Sequence, residues 1–248
     1  MAKIVALDPV THRHTKIIAE QVEESGADLH MVPVVTSEFL KLVVHYPILF
    51  SKDAETGQFV CVALTGLQPG ENLFWSDAAM QTLYTPLHIT RQPFFLGQDD
   101  QTGENVICIN ESHPCVNQIS GQALFAEEYG EIVATDTLKQ AQGMLSQLLQ
   151  GEKQTADLIN KLLAKNLLTP LRLDITFENG QTSTLQGLYA VDEDKLARLS
   201  ADDLFELHSE SMLQTIYTHI ASLGQIYNLI ARKNKRNEQP NPWLKAAP

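Results

Sequence analysis

The chain of 248 residues has little cysteine, a shortage of cations and no long apolar run, and each shortage removes a class of protein. Three cysteines, Cys61, Cys108 and Cys115, are an odd number with no close pairing motif. A disulfide framework is therefore not expected, and a reducing compartment is. The opening MAKIVALDP has one lysine and a very short apolar run before Asp8-Pro9, short of the roughly 7–15 apolar residues of a secretory signal. No stretch approaches the roughly 18 apolar residues of a membrane-spanning helix. The expected location is the cytoplasm. With 30 acidic residues against 18 basic, the net charge of −12 repels phosphate backbones, so nucleic acid is not an expected partner. The basic group Arg232, Lys233, Lys235 and Arg236 falls at the end of a predicted helix, where cations complement the macrodipole.

What is present suits a sizeable core, for 44% of the residues are apolar. Three segments read as strand, turn, strand. In the first, YPILFSKD and QFVCVALTGL flank Ala54-Glu55-Thr56-Gly57; in the second, PFFLGQ and NVICIN flank residues 99–104. In the third, LRLDITF and QTSTLQGLYAV meet at Asn179-Gly180, a dipeptide favoured in a two-residue type I′ turn. Leu171, Leu173, Ile175 and Phe177 alternate, which predicts one buried face. No sequence repeat of 20–50 residues emerges, since the hairpins share turn composition but not flanking residues or spacing.

Helical spacing is clearest from Ser211 to about Lys235, through Leu213, Ile216, Tyr217, Ile220, Leu223, Tyr227 and Ile230. A shorter helix, about Ala201 to His208, starts with Ser200 as N-cap and Asp203 three residues on. Asp136 to Lys165 is also helical in pattern, with Gly151 a candidate break between two helices. Residues 37–45 fit a short helix or a strand equally. The expected fold is α+β: an antiparallel sheet built from several hairpins, packed by helices, with a long amphipathic C-terminal helix. One domain spans 1–237, with a β-rich half over about 1–133 and a helix-hairpin-helix half over about 134–237. Residues 238–248, which include Trp243, form a Pro-containing flexible tail.

Chemistry-bearing motifs are sparse. His12 and His14 in THRHT are the closest histidine pair and the weak metal candidates, but a third ligand at an interpretable spacing is missing. An exposed polar turn is the expected state of that segment, and no metal or cofactor is expected. His113-Pro114-Cys115 sets an imidazole near a thiol, although the surrounding ESHPCVNQ reads as an irregular loop. Cys61 and Cys108 lie in apolar strands, where cysteine behaves as a small hydrophobe. Gly66-Leu67-Gln68-Pro69-Gly70 lacks the spacing and lysine of a phosphate loop. Asp192, Glu193 and Asp194 are expected to cap a helix. His208 and His219 are too far apart for one ion, about 16 Å along one helix. No catalytic residue is assigned.

HYPILFSKDAETGQFVCVALTGLQPGENLF resembles the HYPIxF, acidic turn, TGQF, ALxGLxPGENLF signature of the SapC family. LDPVTHR, LDITFENGQTSTLQGLYAVDEDKLARL and TIYTHIASLGQI resemble the family's other blocks, in order, over about residues 6–230. Between about Gln118 and Ala156 no block is recognised. The resemblance implies no catalytic residues. It implies a supporting role in bacterial surface uptake or in peptide or protein modification, beside a TonB-dependent receptor, a tryptophan halogenase or a cupin-like hydroxylase. The expected function is thus a non-catalytic accessory protein with a protein or peptide partner. Two alternatives stay open: an unrecognised enzyme with a pocket lined by His45 and Tyr46, and a component of S-layer or peptide export. Pro47 opens a strand, a sheet position that tolerates proline, and His45, Tyr46, Asn72 and Phe74 are expected to line a concave site. GLQPGEN can bring Asn72 back toward the start of the hairpin.

Overall fold

A computed structural model describes residues 3–99 and 102–238. The expected tail, with Trp243, falls outside the described residues except for Glu238. Eight strands carry the main sheets: β1 (Ile4–Ala6), β2 (Met31–Pro33), β3 (Ile48–Lys52), β4 (Phe59–Leu64), β5 (Phe94–Gln98), β6 (Asn105–Asn110), β7 (Leu168–Thr176) and β8 (Thr182–Val191). The helices are α1 (Phe39–Leu42), α2 (Leu87–Thr90), α3 (Asp136–Ala164), α4 (Glu193–Leu196), α5 (Ala201–Ser209), α6 (Met212–Ser222) and α7 (Gln225–Glu238). The architecture is α+β, with antiparallel sheets of hairpins. The long C-terminal helical run is present as α6 and α7, separated by a turn at Leu223–Gly224.

The five-stranded sheet has the order β7-β8-β3-β4-β2, and the three-stranded sheet β1-β6-β5. Within them one unit occurs twice. In the first copy α1 leads into the hairpin β3–β4, and β2 pairs with β4. In the second, α2 leads into β5–β6, and β1 pairs with β6. The hairpin registers coincide under one constant offset, Ile48 facing Ala63 as Phe94 faces Ile109; the third strand pairs in the same way, Val32 with Ala63 and Val5 with Ile109, but β1 comes from a different place in the chain order. The same offset carries Pro47, Asp53, Thr56, Gly57 and Val60 onto Pro93, Asp99, Thr102, Gly103 and Val106. The chain therefore contains two structurally similar hairpin units, although no sequence repeat announces them. Flanking apolar residues differ, and the shared turn residues are too few to reveal the repeat by sequence self-similarity.

The shared turn has a physical basis. Asp53 Oδ1 accepts from the Thr56 N–H at 2.8 Å, and Asp99 Oδ1 from the Thr102 N–H at 2.8 Å. Gly57 and Gly103 follow at φ +68° and +69°, a left-handed backbone that disfavours a side chain. The third hairpin also forms where expected but with a different turn. Gly180 N–H donates to the Phe177 carbonyl, and Gly180 alone in the loop has positive φ. This is a three-residue loop with a bulge at Gly180, not the expected two-residue type I′ turn. A pair of consecutive positive-φ residues occurs instead at Asp77 and Ala78.

Helix α3 runs 29 residues without a break, about 43 Å. Leu138, Ala141 and Leu145 join the core of the second unit, with Phe94 and Ile109, while Leu158, Ile159 and Leu162 join the core of the first. Gly151 does not divide the helix. It lies where Val35 crosses, and a Cβ there would fall 2.6 Å from Val35 Cγ2. The ambiguous segment 37–45 resolves as helical turns around α1. Caps form as expected: Ser200 Oγ accepts from the Asp203 N–H, and Asp192 Oδ1 from the Lys195 N–H.

Candidate functional site

The HYP junction sits where α1 ends and β3 begins. Its residues divide between core and surface. Tyr46 is fully buried; its hydroxyl donates to the Tyr84 carbonyl at 3.1 Å and lies 3.0 Å from Thr82 Oγ1. Burial pushes that phenol well above its ordinary pKa, so it stays protonated at any physiological pH. Its ring packs on Phe74, centroids 4.7 Å apart. Asn72 is also buried, donating to the Gly26 carbonyl at 2.8 Å and accepting from the Phe74 N–H at 2.9 Å. His45 is half-buried, and its Nε2 accepts the Leu83 N–H at 3.1 Å. The four predicted residues are thus neighbours. His45 and Phe74 line a depression of about 490 Å³ against α7, and Tyr46 and Asn72 are not among its lining residues.

Behind this junction α6 performs a task no local pattern announces. Strands β8 and β3 pair only at Leu188–Ser51 and Tyr189–Phe50. Continued, the register would place Val191 opposite Ile48. Instead His219 Nε2 accepts the Val191 N–H at 3.1 Å, and Ser222 Oγ accepts the Ile48 N–H at 2.9 Å while donating to the His219 carbonyl. Side chains of a helix thus take the place of a ladder hydrogen bond, satisfying two buried donors. The His219 ring, 5.0 Å from Phe50, is held neutral: burial, opposed only by the Ile48 carbonyl, lowers its pKa to about 4. THIASLG and HYPIL are therefore partners in space. The sequence presents the two segments as separate stretches and carries no sign of their contact.

Glu38 makes a comparable internal anchor. Fully buried, it accepts from the Tyr84 hydroxyl at 3.0 Å and from the N–H groups of Leu87 and Val35. Burial outweighs these bonds and raises its pKa. With His45 and Tyr46 it pins the segment from Thr82 to Leu87.

Elsewhere the predicted histidine and cysteine sites separate or close. His12 is buried, its Nδ1 taking the Asp8 N–H and its Nε2 facing Glu111 at 3.2 Å, whereas His14 is exposed. The two rings occupy different environments, and among the described residues no group of three or more His, Cys, Asp or Glu side chains is arranged to hold a metal. His113 and Cys115 do meet, Nδ1 to Sγ at 3.0 Å. Cys115 is fully buried, however, and burial pushes its thiol up to about 12, away from the thiolate a nucleophile requires. His208 is exposed on α5, apart from His219.

A broad concavity lies between the C-terminal half of α3, α5 and the start of α6. It is a groove of about 1260 Å³, reached on one side by Leu40 of α1. Lys161 and Lys165 face Glu206 at 2.6 Å each, and Lys161 also meets Glu210. Lys165 pairs with Asp203 as well. These contacts raise the lysine pKa values and lower those of Asp203 and Glu206. Every shift moves away from neutrality, the reverse of what acid–base catalysis needs. No sequence motif marks this groove, because its walls are ordinary charged helix surface brought together from α1, α3 and the α5–α6 pair.

A family model described as SapC matches residues 7–229. The matched span takes in the HYP junction, the acidic turn and the THIASLG wedge. The chain belongs to the SapC family. No curated protein and no solved structure matches it. Among the described residues no helix is long and apolar enough to cross a membrane.

Proposed function

We propose that this protein is a non-catalytic accessory protein that holds a polypeptide segment in the groove between α3, α5 and α6. The observation carrying this reading is the charge state of the groove. Lys161, Lys165, Asp203 and Glu206 are locked in their ionised forms by one another, so they present fixed donors and acceptors to a partner and transfer no proton. The open length of the groove, with Leu40 exposed at its side and Gln214 and Asn160 on its walls, suits an extended chain with polar backbone and an occasional apolar side chain. Service in the cytoplasm beside a surface-uptake or peptide-modification system, without nucleic acid, fits family membership and the net charge of −12. An enzyme working through Tyr46 has less support, because that hydroxyl is buried and already bonded.

Site-specific photocrosslinking tests the groove. A photoreactive residue in place of Leu40 or Gln214 is expected to capture a polypeptide in cells, and one in place of exposed Tyr129 is not. Equal labelling at all three positions, or none at Leu40 and Gln214, overturns the reading.

A further inference from the structure

The smaller depression, beside α7, has a chemistry of its own. Its charged lining side chains, Arg232 and Lys235, are both cationic, and no carboxylate lines it, in a chain of net charge −12. Their neighbours on α7 are already engaged. Lys233 Nζ lies 2.6 Å from Glu71 Oε2, and Arg236 donates to the carbonyls of Asn72 and Trp75. Among the described residues, Arg232 has no carboxylate at ion-pair distance. Its guanidinium lies over the Phe74 ring, 4.4 Å from the centroid. Stacking orients the guanidinium plane and leaves its edge donors free, the state in which arginine takes a carboxylate in a two-pronged fork. Lys235, three residues on, shares that face of the helix.

His45 adds a third donor. Its Nε2 is occupied by the Leu83 N–H, so the neutral ring carries its proton on Nδ1. Burial lowers the His45 pKa, and the nearby Arg232 charge lowers it further. The rim is held in place, since Gln225 Nε2 donates to the Val43 carbonyl and Gln225 Oε1 accepts from Asn228. Exposed Val44 and Ala231 give the pocket an apolar side.

We propose that this pocket binds a carboxylate carried on an apolar body, with Arg232 gripping both oxygens, Lys235 and His45 adding positive potential and a donor, and Val44 and Ala231 covering the apolar part. A monoanion fits better than a phosphate dianion. Exposed Val44 and Ala231 beside the two cations suit a single charge carried on an apolar body. Two sources share this chemistry, a small organic acid and the C-terminus of a peptide. The site is independent of the groove between α3, α5 and α6.

Titration of the full chain, followed by backbone amide NMR, tests it. N-acetyl-leucine is expected to shift resonances around Val44–His45 and Ala231–Lys235 to saturation, with N-acetyl-leucinamide at least tenfold weaker. Arg232→Gln should weaken the acid at least tenfold with the melting temperature held. Because Arg232 also packs on Phe74, Lys235→Gln is the second variant; Lys235 is exposed, and its loss should weaken binding several-fold. A tighter complex with the peptide Ala-Ala-Leu identifies a peptide end as the ligand, and a tighter complex with N-acetyl-leucine a small acid. Equal affinity for acid and amide overturns the proposal, as does unchanged affinity in Lys235→Gln. Inorganic phosphate binding as well as the acid also overturns it.

Discussion

The two copies of the strand–helix–hairpin unit share turn and register but not circumstances. In the first, Ile48, Leu49 and Phe50 are all buried; successive strand residues point to opposite faces, so both faces of β3 are covered. In the second, Phe94 is buried while Leu96, the counterpart of Phe50, is 37% exposed. The first unit has gained β8 and β7 on its β3 edge and α6 against that junction. The second keeps β5 and β1 as sheet edges. Both concavities lie against the helices that follow β8. A hairpin unit therefore supplies a frame, and what distinguishes the copies is the material added around it.

The largest expected effect sharpens this asymmetry. Phe50→Ala should cost about 3–5 kcal/mol by transfer and cavity formation, whereas Leu96→Ala should cost about 1 kcal/mol, since much of that side chain already meets water. Urea unfolding of both variants measures it. Similar losses would mean that the second sheet is as covered as the first.

Acid should find the first unit next. His219 has a pKa of about 4 in the fold against the ordinary 6.5. Above pH 6.5 neither state binds the proton and stability is unaffected. As pH falls below 6.5 the unfolded chain protonates first, and stability drops by about 3 kcal/mol until the folded ring titrates near pH 4. His88, within α2 of the second unit, is also held at about 4 by burial and acts in the same direction. Unfolding free energies from pH 7 to pH 4 should therefore decline, and His219→Gln should flatten the decline. An unchanged slope in that variant would remove His219 as its source.

Ser222→Ala isolates the wedge itself. Losing the hydroxyl leaves the buried Ile48 N–H without its acceptor, at a cost of about 1–3 kcal/mol. A loss near zero would mean that β3 and β8 can close their ladder without α6.

How much of this was legible follows from distance along the chain. The hairpins were readable because Asp53, Thr56 and Gly57 build their turn within a few residues. Alternation of Leu171, Leu173, Ile175 and Phe177 likewise declared a strand, and Ile175 and Phe177 are buried. The turn at Asn179-Gly180 was located but mistyped, since its dipeptide also fits a loop in which only glycine has positive φ. Gly151 looked like a helix break because propensity sees a missing side chain and not the Val35 that occupies its place. Of His45, Tyr46, Asn72 and Phe74, only His45 and Phe74 line the depression, because which of them faces it depends on α7, far away in sequence. His219, Ser222 and Arg232 were legible only as helix residues, because their partners lie on strands and loops outside the helix, from 28 residues away for Val191 to 174 for Ile48.

The smallest expected effect tests whether the two units are equivalent where they look most alike. Gly57 and Gly103 adopt φ +68° and +69°, and a Cβ added at either would have nothing within 4 Å. Substitution by alanine therefore brings no steric clash with the rest of the protein, and the cost is the left-handed backbone alone, about 1 kcal/mol at each site. The Asp–Thr bonds that shape the turns are the same length at both sites, so the two penalties should agree within experimental error even though the sheets around them differ in burial. Matching losses in Gly57→Ala and Gly103→Ala, read from urea midpoints at constant slope, would establish that turn energetics are local to the six-residue loop. A clear penalty at Gly57 with none at Gly103 would show instead that the exposed hairpin relaxes to another turn, and that cover from the surrounding sheet, more than the Asp–Thr–Gly sequence, holds the first loop in shape.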